Sequence, residues 1–328
     1  MTDKKSNNLA LKIIAVFLCV AIIAVTSLIL INIWEKKQLE FKGDGFATAT
    51  DTVEYNGQKY TLKENVETLL ILGLDKTAQI SEDSYNNEMQ ADFLLLLVID
   101  NDNSECKAIH INRDTIVEMN ILGVAGDKVG TTTKQIALSH TYGNGREVSC
   151  RNTANAVSKL LMNIKIDHYV SVTMDSVPVI NDLVGGVELE VLEDFSEFDK
   201  ALVKGNTVKL EGQQALTYIR TRYGLDDPSN STRMIRQKQY IKALYEKAVS
   251  AKKADKNFIS KVSLKLSNSF VSDCSANKLE AYFKKASEYT FKEILSFKGE
   301  NKMGEEFIEF YPTEDSLKEI VINAFYQK

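Results

Sequence analysis

The amino-acid sequence predicts an α/β fold: an αβα layered domain with a central mixed sheet, preceded by one N-terminal transmembrane helix. Three observations predict it. Residues 13–31 carry no charged side chain, a run of 19 residues, close to the roughly 20 that a helix needs to cross a bilayer. Continuous apolar runs at 68–73 and 92–100 read as strands buried on both faces. Segments of helical spacing alternate with such strands, the pattern of a sheet covered by helices.

Taken in order, residues 1–12 form a cytoplasmic N-terminus and 13–34 the membrane helix, with Trp34 at the interface. The apolar run is longer than the core of a signal peptide and no small-residue cleavage site follows it, so the helix is read as an uncleaved anchor. Lysines flank it evenly: Lys4, Lys5 and Lys12 before, Lys36, Lys37 and Lys42 after. Charge therefore hardly sets its orientation, but a large domain behind a single anchor is consistent with export. Residues 35–66 are a linker and edge segment with a hairpin at Asn56-Gly57. Residues 67–328 form one domain. Within it, strands are expected at 68–73, 92–100, 106–112, 168–174, 186–192, 291–297 and 307–311. Helices are expected at 134–142, 152–162, 176–183, 212–219, 233–249, 277–288 and 314–325.

The net charge of −5 argues against a generic nucleic-acid binder. Four cysteines are too few for a disulfide scaffold, and none has metal-ligand spacing. In an exported domain one pair could form, with Cys106 and Cys150 preferred. The use of arginine is more informative. Of 40 basic residues, seven are Arg, and four of those fall between 220 and 236. A chain that otherwise uses Lys keeps Arg where a planar fork is needed for carboxylate or phosphate; structural salt bridges would use it equally well.

Arg220 and Arg222, two apart, share a face of an extended chain. Arg233, Arg236 and Gln237 share a face of a helix. The turn between them carries Asp226 and Asp227. Four clustered cations need an anion, which those acids supply in part and a pyrophosphate would supply better. Asp75 closes one apolar strand and Asp92 opens the next. If the two strands are antiparallel neighbours, both carboxylates reach one sheet edge and suit a hard cation such as Mg²⁺, although strand-end solvation accounts for the same spacing. Arg113 and Asp114 leave the strand 106–112 together. His110, His140 and His168 sit in no nucleophile motif.

The order LGLD, ADFLLLLVID, INRDT, IDHYVSV, NDLVGGVELEV, LEGQQALTYIRTR and RMIRQ resembles the LytR-CpsA-Psr family from about residue 68 to 249, with a tail like that of a clostridial-type branch. The resemblance implies a Mg²⁺-dependent phosphoglycan transferase, with Mn²⁺ as the alternative ion. It would move a phosphoglycan, such as teichoic acid or capsule, from a polyprenyl-pyrophosphate lipid to peptidoglycan. The domain would lie outside the cell membrane of a Gram-positive-type bacterium, with an apolar pocket for the lipid. Asp75 and Asp92 match the metal-binding aspartates. Arg113, Arg220, Arg222, Arg233 and Gln237 match the pyrophosphate-binding set, and Arg236 belongs to the same motif. Arg113 and Asp114 are the catalytic candidates, Asp114 as base. The sequence departs from the family where Gln90 replaces an Arg, Ala91 and Phe93 replace Ser or Thr, and Asn112 replaces a Pro. The missing charge leaves two other functions open: a non-catalytic lipid-pyrophosphate binder or regulator, and a lipid pyrophosphatase. Direct DNA binding is discounted for an acidic domain behind a membrane span.

Overall fold

In the computed structural model, residues 48–75, 87–227, 229–267 and 269–328 are described. Among them no helix is long and apolar enough to cross a membrane, and the expected span at 13–34 lies outside them.

The chain opens with the expected hairpin, β1 (Thr52–Tyr55) and β2 (Gln58–Leu62). Its turn places Asn56 at φ 52° and Gly57 at φ 72°, the left-handed pair that matches the twist of a two-residue hairpin. Strands β3 (Val66–Leu74), β4 (Ala91–Asp100) and β5 (Glu105–Ile111) follow, each with most of its residues buried and none exposed. Two elements then depart from expectation. Residues 116–135 form a hairpin, β6 (Ile116–Leu122) with β7 (Lys128–Gln135). The helix expected at 134–142 is only a 3₁₀ turn, Ile136–Thr141. The polar, threonine-rich strand β7 hides its period, because most of its side chains face solvent.

Helix α1 (Glu147–Leu160) leads into β8 (His168–Thr173), α2 (Ser176–Leu183), β9 (Val187–Glu190) and β10 (Thr207–Leu210). Helix α3 (Gln213–Arg220) and the long α4 (Asn230–Ala254) come next, then α5 (Phe258–Lys265) and β11 (Phe270–Ser272). The chain ends with α6 (Ala276–Glu288), β12 (Thr290–Leu295), β13 (Gly299–Met303), β14 (Ile308–Pro312), α7 (Glu314–Phe325) and β15 (Tyr326–Gln327).

The central sheet has the order β11-β8-β3-β4-β5-β12 and is mixed. β3 runs parallel to β8 and antiparallel to β4, which is antiparallel to β5. One face packs against α1 and α7 in the main core; the other meets α6 and α4 through smaller clusters. A separate core joins β9, β10, α3 and α4 around Phe195, Tyr218 and Tyr240. The αβα layering is therefore as expected. The cysteine pairing is not: Cys106, Cys150 and Cys274 are free thiols. Cys106 and Cys150 lie in different hydrophobic clusters, and burial pushes their thiols up to about 11 and about 12.

Candidate functional site

Antiparallel pairing brings the end of β3, the start of β4 and the end of β5 to one edge of the sheet. Asp75 follows β3, its backbone N–H donating to the Gln90 carbonyl at 2.9 Å. The ladder there is irregular: Gly73 pairs with Phe93 but Leu74 with Ala91. Asp92 is the extra residue of this bulge, a device that re-aims one side chain at a sheet edge. Gly73 is needed opposite, since a Cβ there would lie 3.0 Å from the Phe93 Cβ.

Arg113 enters from β5. Its guanidinium pairs with Asp92, donates to Gln90 Oε1 at 2.5 Å and places Nε 3.3 Å from Asp114 Oδ1. Gln90, the residue that stands where an arginine was expected, is thus a prop for Arg113. Arg233, 3% exposed, approaches Asp92 from α4 at 3.5 Å. Burial above all, with Arg222 and Arg113 nearby, pushes its guanidinium down to about 10 despite Asp92. Arg220, the last residue of α3, reaches Asp75 at 3.1 Å. Arg220 is therefore helical, and Thr221 and Arg222 lie in irregular chain beyond the helix; both arginines still line one cavity, with Asp75, Asp92, Arg113, Tyr223 and Arg233. Arg222 has no ion-pair partner among the described residues and lies 5.5 Å from the Tyr223 ring. Four guanidinium groups thus face three carboxylates: Asp75, Asp92 and Asp114.

Two asparagines hold this arrangement: Asn112, which the sequence marks as a departure from the family's Pro, and Asn230, which sequence reasoning passes over. Asn112 Oδ1 accepts from the Asp114 N–H at 2.9 Å and from Asn230 Nδ2 at 2.6 Å. Asn230 Oδ1 in turn accepts from Arg233 Nε at 2.9 Å. The departure from Pro to Asn at 112 thereby links the β5 exit to the start of α4. Asp114 also accepts from Gln135 Nε2 at 3.3 Å. Its carboxyl is raised above the ordinary range by burial, which outweighs Arg113, Arg222 and Arg233.

Arg236 is not with the others. Its side chain is completely buried, with Nε 2.6 Å from Glu193 Oε2. It donates to the Tyr218 and Thr221 carbonyls, the latter at 2.6 Å, and lies over the Phe195 ring at 5.0 Å. Three residues along the helix from Arg233, it points away from the mouth into the second core, where it fixes the backbone that carries Arg222. Gln237 donates to the Ile219 carbonyl at 3.2 Å and lines the floor below.

That floor is an almost wholly apolar cavity of about 230 Å³. Ile71, Phe93 and Leu95 supply the sheet side; Val177, Leu216, Tyr240 and Leu244 supply the helical side. Asp92, Arg220 and Arg233 line both this cavity and the charged one. An apolar slot therefore opens directly beneath an arginine mouth.

Two carboxylates at one strand edge are hard oxygen donors of the kind Mg²⁺ takes, with water and ligand oxygens completing its shell; Asp75 and Asp92 fit that donor set. A cluster of three potential metal ligands elsewhere, His168, Asp273 and Cys274, sits at the opposite end of β8, where Arg151 already engages Asp273 at 2.5 Å.

The LytR_cpsA_psr family model matches residues 36–324. The chain is 28% identical over 189 residues to the polyisoprenyl-teichoic acid–peptidoglycan teichoic acid transferase TagU of Bacillus cereus, covering 57% of this chain and 54% of that protein. It is 29% identical over 196 residues to TagV of Bacillus subtilis, a transferase of the same description, covering 58% and 46%. The chain thus spans about half the length of the curated relatives it matches. Among solved structures, B. subtilis TagV superposes with a TM-score of 0.61 at 25% identity, covering 80% of this chain and 97% of that one. TagT bound to LIIa-WTA shares the fold, with a TM-score of 0.59 at 19% identity over 80% of this chain and 90% of that one.

Proposed function

Because the chain belongs to the LytR-CpsA-Psr family, we propose that it transfers a phosphoglycan from a polyprenyl-pyrophosphate carrier to peptidoglycan. The observation that carries this reading is the shared wall of the two cavities: an apolar slot ends at a cluster of guanidinium groups. A lipid pyrophosphate has that polarity, a hydrocarbon chain joined to two charged phosphates. The curated relatives, named as transferases of polyisoprenyl-linked teichoic acid, support it.

In this reading the lipid chain enters the apolar slot. Arg220, Arg222 and Arg233 hold pyrophosphate oxygens as planar forks, with Gln237 at the neck of the slot. Phosphoryl transfer needs positioning and charge stabilisation more than covalent help. Arg113, propped by Gln90, faces the phosphorus under attack and balances charge on its oxygens. Asp114, made more basic by burial, takes the proton of the attacking hydroxyl. Asp75 and Asp92 would hold Mg²⁺ or Mn²⁺, which neutralises charge on the departing lipid phosphate. Residues 13–34 anchor the protein in the cell membrane with the domain outside, where lipid and wall meet.

The test is turnover of a polyprenyl-pyrophosphate glycan by the full chain, with and without acceptor glycan and with Mg²⁺ or chelator. Transfer that needs both acceptor and metal is expected. Release of glycan phosphate to water at the same rate without acceptor would make the protein a pyrophosphatase. Tight binding without any turnover would make it a lipid-pyrophosphate sensor.

A further inference from the structure

The β13–β14 hairpin is larger than its core contact requires. Phe310 is buried and pairs with Asn301, and the next pair outward on the same face is Met303 with Ile308. There the face runs out from under the domain: Met303 is 75% exposed, Ile308 48% and Phe307, in the connecting turn, 65%. Three apolar side chains left exposed together at one hairpin tip make it a candidate binding face.

The overhang adjoins the arginine mouth. Phe310 N–H donates to the Asp114 carbonyl at 2.8 Å. Gln135 Nε2 spans the Asp114 carboxylate and the Ile308 carbonyl, at 3.3 and 2.7 Å. Asn301, on the overhanging face, lies 3.5 Å from Ser231 Oγ at the start of α4, two residues before Arg233. The charge of the hairpin is opposite to that of the mouth. Glu300, Glu305, Glu306 and Glu309 outnumber Lys302, which is drawn to Glu300 at 3.3 Å. An anionic polymer or phosphate lipid is repelled from it. A sugar chain suits it, since pyranose C–H faces pack on apolar and aromatic side chains while hydroxyls donate to carboxylates.

We propose that the overhanging face of this hairpin, through Met303, Phe307 and Ile308 with Glu305 and Glu306 at its tip, seats the pyranose rings of the acceptor glycan beside Asp114. The identification of these sugars as an acceptor rests on the transferase reading; the saccharide seat itself does not. The arrangement divides the site by charge, with the anionic donor on arginines and the sugar acceptor on an acidic, apolar ledge.

The test uses the full chain and an uncharged β-1,4-linked N-acetylglucosamine hexamer as probe, titrated calorimetrically. The Met303→Ser, Phe307→Ser double variant is expected to weaken hexamer binding by about tenfold or more. Its thermal melt and its affinity for polyprenyl pyrophosphate should stay at the wild-type level. Phe307→Tyr, which keeps the ring, should restore most of the binding when placed beside native Met303. Absence of hexamer binding to the wild type, or binding unchanged in the double variant, overturns the proposal. So does a loss of lipid affinity in the double variant, which would place the hairpin in the donor site, and so does preference for a basic peptide over the hexamer. Hexamer binding at the hairpin without any transfer from the lipid would defeat the transferase reading and leave the saccharide seat standing.

Discussion

Arg236 provides the sharpest test, because motif and geometry assign it different work. Its motif neighbours face the mouth; its own guanidinium is sealed against Glu193, the Tyr218 and Thr221 carbonyls and the Phe195 ring. Arg236→Met keeps an unbranched apolar stem and removes the charge. Glu193, 7% exposed, is then left buried without its counter-ion and two carbonyls lose their donors. Breaking a buried ion pair from one side costs about 3–5 kcal/mol. At roughly 2–4 °C per kcal/mol for a domain of this size, the melting temperature should fall by about 6–20 °C. The double variant Arg236→Met, Glu193→Leu removes both charges and should recover most of that loss, because desolvation of the pair opposes its Coulombic attraction. Circular-dichroism melts of both variants, beside lipid affinity measured well below the transition, make the assay. If Arg236→Met melted like the wild type and lost lipid binding, Arg236 would be a ligand and the burial argument would fail.

The opposite pattern is expected at the mouth: Arg220→Lys with Arg222→Lys should melt normally yet lose about two to four powers of ten in transfer, since each charge-assisted fork contributes on the order of 1.5–3 kcal/mol. Near-native lipid affinity in that double variant would show that charge alone suffices there. Asp92→Asn should abolish the response of turnover to added Mg²⁺ while the fold persists, and a metal titration that matches wild type would reassign the ion. His110 and His140 are pushed down by burial, to about 3 and about 4, so they stay neutral in the fold while the unfolded chain takes protons below about pH 6.5. Their contribution to stability is complete above that pH and is lost as pH falls toward 3, so the urea midpoint should drop between pH 7 and 5; NMR signals assigned to His110 or His140 that titrate near 6.5 would contradict it. Burial alone would raise Glu67, but hydrogen bonds from Lys285 and Lys278 hold it below its usual value. Its share of stability is present above the ordinary carboxylate range and lost in acid, and Glu67→Gln should flatten acid unfolding.

Much of this was legible in the sequence because burial on both faces leaves a strand no polar positions. The runs LLILGL and DFLLLLVID mark β3 and β4, and the acids that end those runs necessarily lie at a sheet edge. That Asp75 and Asp92 share the same edge needed the antiparallel pairing, which the sequence could only pose as a condition. The hairpin β6–β7 was missed because one of its strands is largely solvated and carries no apolar alternation. For Arg236 the motif and the geometry part for a different reason. Helical spacing shows which residues are neighbours but not which side of the neighbourhood is dry, and its partner Glu193 lies in a distant loop. Asn112 stands out in the sequence only as a departure from the family's Pro and Asn230 not at all, since an asparagine that ties two elements together looks, in sequence, like any turn residue.

The apolar slot lies along the boundary between two independent cores, the sheet with its helices on one side and the group around Phe195 and Tyr218 on the other. At about 230 Å³ it is smaller than the roughly 300–1,000 Å³ typical of small-ligand sites. Helix α4 belongs to both sides, with Tyr240 in the second core and Ile241 packed on the sheet. On the transferase reading proposed above, a hydrocarbon chain longer than the slot would have to extend along this boundary beside α4, below Arg233 and Gln237. The boundary between the cores, rather than the arginines above it, would then decide how much of that chain is covered.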